Sequence, residues 1–119
     1  METRRLRKEE RLRLRKDFDR IFSFGRSVSD DNLRIIFVEN GLDIRRIGII
    51  IKKKIGKAVF RNRLRRLIKE VFRLNKEKFP KGYDYVFIVR EGLKGRRDIK
   101  YFEMEEIVLK LLERLKCEG

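Results

Sequence analysis

The 119-residue sequence predicts one α+β domain, a single sheet of about four strands with helices laid against it in the order α-β-β-β-α-β-α. Three observations lead there. Apolar residues recur at helical spacing over 59–74 and again over 104–115, while β-branched and aromatic runs occupy 33–39, 45–52 and 83–90. Turn residues punctuate these segments, at Asn40-Gly41, Gly56, Pro80 and Gly82. A chain of this length supports one modest core and not two, so 1–119 is read as a single domain.

Taken in order, residues 1–16 carry eight basic side chains with Leu6, Leu12 and Leu14 among them and no helical stripe. That composition predicts a basic arm over 1–15, ordered partly by its leucines and partly by a ligand. A short helix follows over 16–24, because Phe18, Ile21 and Phe22 share a face and Gly25 offers a left-handed stop. Too short to hold alone, it needs a surface for its aromatic side. Short strand character at 27–29 precedes the runs at 33–39 and 45–52, and the intervening Asn40-Gly41-Leu42-Asp43 predicts that these two pair as a hairpin. Gly56 then frees the backbone for a sharp turn into a helix that starts near Val59 and stops near Leu74. The run 83–90 is apolar on both alternating sets, which marks a central strand. Gly92 to Asp98 reads as a loop, and Met104, Val108, Leu111, Leu112 and Leu115 mark a final structural helix.

The charge is lopsided. Lys and Arg number 34 against 19 Asp and Glu, for a formal net charge of +15. Self-repulsion on that scale favours an anionic partner, with nucleic acid the leading class. No signal-peptide pattern and no long apolar run is present, which excludes a spanning segment and points to the cytoplasm. The absence of His and the single Cys117 exclude imidazole catalysis, an internal disulfide and thiolate metal sites. Asp17/Asp19 and Asp30/Asp31 are explained by turn and helix-start chemistry rather than by metal ligation, so no metal site is assigned. Gln is absent and Thr3 is the one threonine, a bias resembling that of hyperthermophile proteins.

The charge concentrates in 52–73, with ten Lys or Arg against Glu70 alone. Around the helix axis Phe60, Leu64, Leu67, Ile68 and Val71 gather on one side, while Asn62, Arg65, Arg66, Lys69 and Arg73 occupy the other. Solubility is served by mixed charge, so a nearly pure cationic face is read as a docking face for phosphates, which Arg grips with two nitrogens at once. Strand parity defines a second candidate. Ile47, Ile49, Ile51, Tyr83, Tyr85, Phe87 and Val89 suit cover by the helix stripe. The opposite set, Arg34, Ile36, Val38, Gly48, Ile50, Lys52, Val86, Ile88 and Arg90, is smaller and rimmed by cations. With Phe18 and Phe22 beside it, that face is a candidate groove for a single strand. An RNA-binding module of ribosomal type, a DNA-binding helix and a protein nuclease remain open on these grounds, although no protein active site is visible.

The run Lys53-Lys54-Ile55-Gly56-Lys57-Ala58-Val59-Phe60-Arg61-Asn62-Arg63-Leu64-Arg65-Arg66 resembles the signature of the bacterial ribonuclease P protein family, departing from it by Arg65 where Lys is usual. The likeness extends from Arg15-to-Phe22 through Asp84-to-Arg90. It implies a fold like the second domain of ribosomal protein S5, with a left-handed βαβ crossover, and a protein cofactor of an RNA enzyme that removes the 5′ leader of precursor tRNA with Mg²⁺. It further implies that Lys53, Lys54, Lys57, Arg61, Asn62, Arg63, Arg65, Arg66, Lys69 and Arg73 contact the catalytic RNA, one protein per RNA. The leader would take the groove of Phe18, Phe22, Ile36, Ile50, Lys52, Ile88 and Arg90.

Overall fold

A computed structural model of the chain describes residues 8–118. The first seven residues of the predicted arm and the Cys117 side chain lie outside the described part. Helix α1 (Arg15–Phe24) is followed by strands β1 (Arg26–Ser29), β2 (Leu33–Glu39) and β3 (Arg46–Ile50), helix α2 (Ala58–Leu74), strand β4 (Tyr83–Val89) and helix α3 (Tyr101–Glu118). This is the predicted order. The sheet runs β1-β2-β4-β3, with β4 antiparallel to β2 and parallel to β3.

The predicted hairpin is therefore wrong: β2 and β3 do not pair, because β4 lies between them. The reason is visible at the turn. Asn40 N–H donates to the Gly82 carbonyl (2.8 Å) and Gly82 N–H donates to the Ile44 carbonyl (3.0 Å), so the chain before β4 slots into the mouth of the 40–45 loop. Gly82 has a positive φ of 81°, which suits it to that reversal. A strand apolar on both faces gains most from the middle of a sheet, and β4 is buried from Asp84 to Phe87.

One sheet face carries the core. Leu33, Ile35, Phe37, Ile47, Tyr85 and Phe87 meet Leu64, Ile68, Val71 and Phe72 of α2 and Met104, Val108, Leu111 and Leu112 of α3. The predicted α2 stripe is thus the buried one, with Phe60 and Leu67 half-buried at its margin.

The other face is built as three rungs across β2, β4 and β3. Val38, Asp84 and Arg46 form the first, Ile36, Val86 and Gly48 the second, Arg34, Ile88 and Ile50 the third. Helix α1 covers the first two rungs. Ile21 is fully buried against Ile36 and Val86, joined by Leu12 and Phe18. Gly48 makes room for this, since a Cβ there would lie 2.7 Å from the Phe18 ring. Gly25 is likewise a matter of space. Its φ of −74° is extended and not the predicted left-handed stop, but a Cβ would strike the Ile21 carbonyl and the Ile36 side chain. Gly56 too is extended, near φ 161°, with the Phe60 ring against its α-carbon, so the predicted backbone freedom is not what it supplies.

Below α1, Asp84 is completely buried. Arg46 donates Nε and Nη2 to its two oxygens at 2.8 Å each, Arg20 of α1 donates to Oδ2, and Asn40 Nδ2 donates to Oδ1 at 3.0 Å. A second carboxylate, Asp17, lies 3.6 Å from Arg46. The hydrogen bonds that Arg46 donates to Asp84 are the main cause that holds Arg46 above its ordinary pKa. A buried carboxylate is tolerated only when its oxygens are filled this way, and removing one partner typically costs about 3–5 kcal/mol. The cluster fixes α1 on the sheet.

The arm segment next to α1 closes the free edge of β3. Leu12 N–H donates to the Ile47 carbonyl at 2.8 Å, and Glu10 pairs with Lys76 at 2.7 Å. A capped edge cannot recruit another strand.

Candidate functional site

Two cationic surfaces result, on opposite sides of the sheet. The first is the outer face of α2. Arg65, Arg66 and Lys69 make no ion pair with any carboxylate among the described residues; Arg65 Nη1 reaches only the Asn62 amide oxygen, at 3.3 Å. Burial, with Arg11 and Arg65 nearby, holds the Lys69 ammonium below its ordinary pKa of 10.5. Cations crowded without an acid destabilise one another, and a bound phosphate relieves that. Three residues of the predicted set differ. Arg73 is gripped by Glu70 through two bonds of 2.8 and 2.9 Å, leaving the pair near neutral and Glu70 below its ordinary pKa. Arg61 uses its Nε to brace the Gly56 carbonyl at 3.0 Å, and Arg63 reaches the Arg97 carbonyl at 3.4 Å.

The second surface is the third rung, left open where α1 ends. It forms the floor of a cleft of about 880 Å³. Ile50, Lys52, Ile88 and Arg90 line it, as strand parity predicts, together with Phe22 of α1. Phe22 is half-exposed on the wall. Arg90 is held at the mouth by its Nη1, which donates to the Asp30 carbonyl at 2.7 Å. Asp30 in turn accepts from the Asn32 and Leu33 amides at 2.7 and 2.9 Å, the turn chemistry expected of it.

Phe18 and Ile36 do not line this cleft. Ile36 is buried under α1 and Phe18 packs over Gly48, so both support the wall that carries Phe22. Lys54 moves in the other direction. Assigned with the helix cations, it lines the cleft instead and pairs with Glu91 at 3.0 Å. Lys53 is exposed in the same short turn, Lys53–Ile55. Sequence reading places Asp31 only in a turn and misses that it, with Glu91, stands at the cleft; it also misses Asp84 beneath α1. The signal for Asp84 was present: a lone acid inside an otherwise apolar strand requires buried partners. Among the described residues no cluster of three His, Cys, Asp or Glu is placed to hold a metal ion, and no helix is long and apolar enough to cross a membrane.

These features define a class, a small basic α+β protein with a helix on one side whose Arg65, Arg66 and Lys69 are in no ion pair among the described residues, and a cation-rimmed apolar cleft on the other. The family model described as Ribonuclease P matches residues 6–116, and the chain belongs to that family. It is 43% identical over 118 residues to the ribonuclease P protein component of Petrotoga mobilis, covering 98% of this chain and all of that one. Identity to the component from Thermotoga maritima is also 43%, over 92% of this chain and 94% of the relative. The solved Thermotoga maritima ribonuclease P protein superposes with a TM-score of 0.81 over 88% of this chain and 96% of that one, at 43% identity. The Staphylococcus aureus protein gives 0.80 at 29% identity, over 90% and 95%.

Proposed function

We propose that this chain is the protein subunit of a cytoplasmic ribonuclease P, in which one copy binds one catalytic RNA and assists removal of the 5′ leader from precursor tRNA. The observation that carries this is the pairing of family membership with an α2 face whose Arg65, Arg66 and Lys69 pair with no acid among the described residues. Those residues, with Lys57, Arg61, Asn62 and Arg63, dock the folded RNA through phosphates, since the deep, narrow A-form major groove hides its base edges from side chains.

Chemistry in this reading belongs to the RNA and the Mg²⁺ it holds. The protein contributes position. The cleft of Phe22, Ile50, Lys52, Ile88 and Arg90, with Lys54 added at its mouth, takes the single-stranded leader: aromatic and aliphatic surface meets bases, and the rim meets backbone charge. Precursor is thereby held more tightly than product, because mature tRNA has no leader to fill the cleft. The whole chain acts as one RNA-binding domain, with residues 1–15 as its basic arm.

The test is reconstitution at low salt from purified protein, bacterial ribonuclease P RNA, precursor tRNA and Mg²⁺. Cleavage at the mature 5′ end, dependent on the RNA and improved by the protein, is expected. Cleavage by protein alone would make it a nuclease, and no effect of the protein would favour a ribosomal-type RNA-binding role.

A further inference from the structure

A second cleft, of about 490 Å³, lies between the first turn of α2 and the turn at Gly95. Its volume falls within the roughly 300–1,000 Å³ common for small-ligand sites. Its walls are of two kinds. Val59 is 83% exposed on the helix, an exposure that core packing does not require, and the half-buried Phe60 ring lies behind it against Gly56. Around this apolar patch stand Lys57, Arg63 and Arg97, with no carboxylate in the lining. Gly95, at φ 73°, turns the opposite wall and presents no side chain to narrow it. The contact from Arg63 to the Arg97 carbonyl ties the helix to that wall.

We infer that this cleft receives one unpaired nucleobase of the docked RNA, its face against Val59 and Phe60 and its flanking phosphates on Lys57, Arg63 and Arg97. The inference rests on the docking of α2 to RNA and adds to it a site where RNA is held by a base. Charge decides the occupant. A protein side chain would fill the apolar patch but would leave three cations without a counter-charge, whereas a nucleotide supplies an apolar π-face and phosphates together. Unpaired bases are also the part of a folded RNA that can leave its stack to be held this way.

The two kinds of wall separate in solution. Val59→Ser, at an exposed position, keeps the fold and the charge; it is expected to weaken binding to bacterial ribonuclease P RNA by about fivefold or more while the slope of log affinity against log salt stays constant. Arg97→Gln should make that slope shallower by about one. Dimethyl sulfate probing of the complex should find an unpaired adenine or cytosine protected by the wild type and reactive with Val59→Ser, inside an otherwise unchanged footprint.

Equal affinity and equal base reactivity for wild type and Val59→Ser would overturn the inference while leaving helix docking intact. Absence of any footprint with either protein would overturn the docking itself and this inference with it. If Val59→Ser instead abolished self-association of the protein alone in sedimentation, the cleft would belong to a second copy of the chain and the RNA assignment would fall.

Discussion

Arg20 and Arg46 meet a carboxylate that water does not reach, whereas Arg65, Arg66 and Lys69 stand on α2 in no ion pair with a carboxylate among the described residues. The residue types are alike, but the treatment is opposite. At Asp84 every charge is neutralised inside the protein, and the result is position: α1 is fixed over two rungs of the sheet, so Phe22 stands at the edge of the third. On α2 the charges repel one another in the free protein, and the result is affinity kept for a partner. One set shapes a cleft; the other, in the function proposed above, recruits the RNA.

Breaking the internal set should give the largest effect. Asp84→Ala leaves Arg46 and Arg20 without their buried counter-charge and should destabilise the fold by about 3–5 kcal/mol in urea unfolding. The partner-directed set should behave in the reverse manner. Arg65→Ala with Arg66→Ala should leave the unfolding midpoint nearly constant, since exposed cations contribute little, while weakening RNA binding by about 10- to 100-fold at moderate salt.

Smaller effects sharpen the contrast. Phe22→Ala removes the exposed wall of the cleft without touching Ile21 and should lower precursor tRNA affinity of the assembled enzyme by about 1–2 kcal/mol, leaving mature tRNA binding alone. Equal loss for both would make Phe22 a packing residue.

Lys69 supplies the least of these effects. Its folded pKa lies below 10.5, so between that lowered value and 10.5 the unfolded chain binds more protons and stability should rise with pH. RNA binding should go the other way, falling as pH climbs through the same window because phosphate requires the ammonium form. Lys69→Gln should lose that pH dependence of binding.

Much of this was legible beforehand. The α2 stripe and both sheet faces followed from period 3.6 and period 2, which burial enforces residue by residue, and the groove residues Ile50, Lys52, Ile88 and Arg90 followed from parity alone. Pairing partners did not. Asn40-Gly41 marks a reversal, but whether the two runs beside it touch depends on a third strand that starts only at Tyr83, and local turn chemistry carries no record of it. Phe18 and Ile36 share a face with the groove and were assigned to it; what separates them is how far α1 reaches along the sheet, set by Arg20 and Asp84. Gly25 and Gly48 were likewise shaped by neighbours in space, the Ile21 carbonyl and the Phe18 ring, and not by backbone angle.

The central claim is that α2 meets RNA through phosphates. It is tested most directly by the slope of log affinity against log salt for bacterial ribonuclease P RNA, measured for the wild type and for the Arg65→Ala, Arg66→Ala protein. Loss of two phosphate contacts predicts a slope shallower by about two; identical slopes and affinities would mean that this face is solvent-exposed in the complex and that the RNA is held elsewhere.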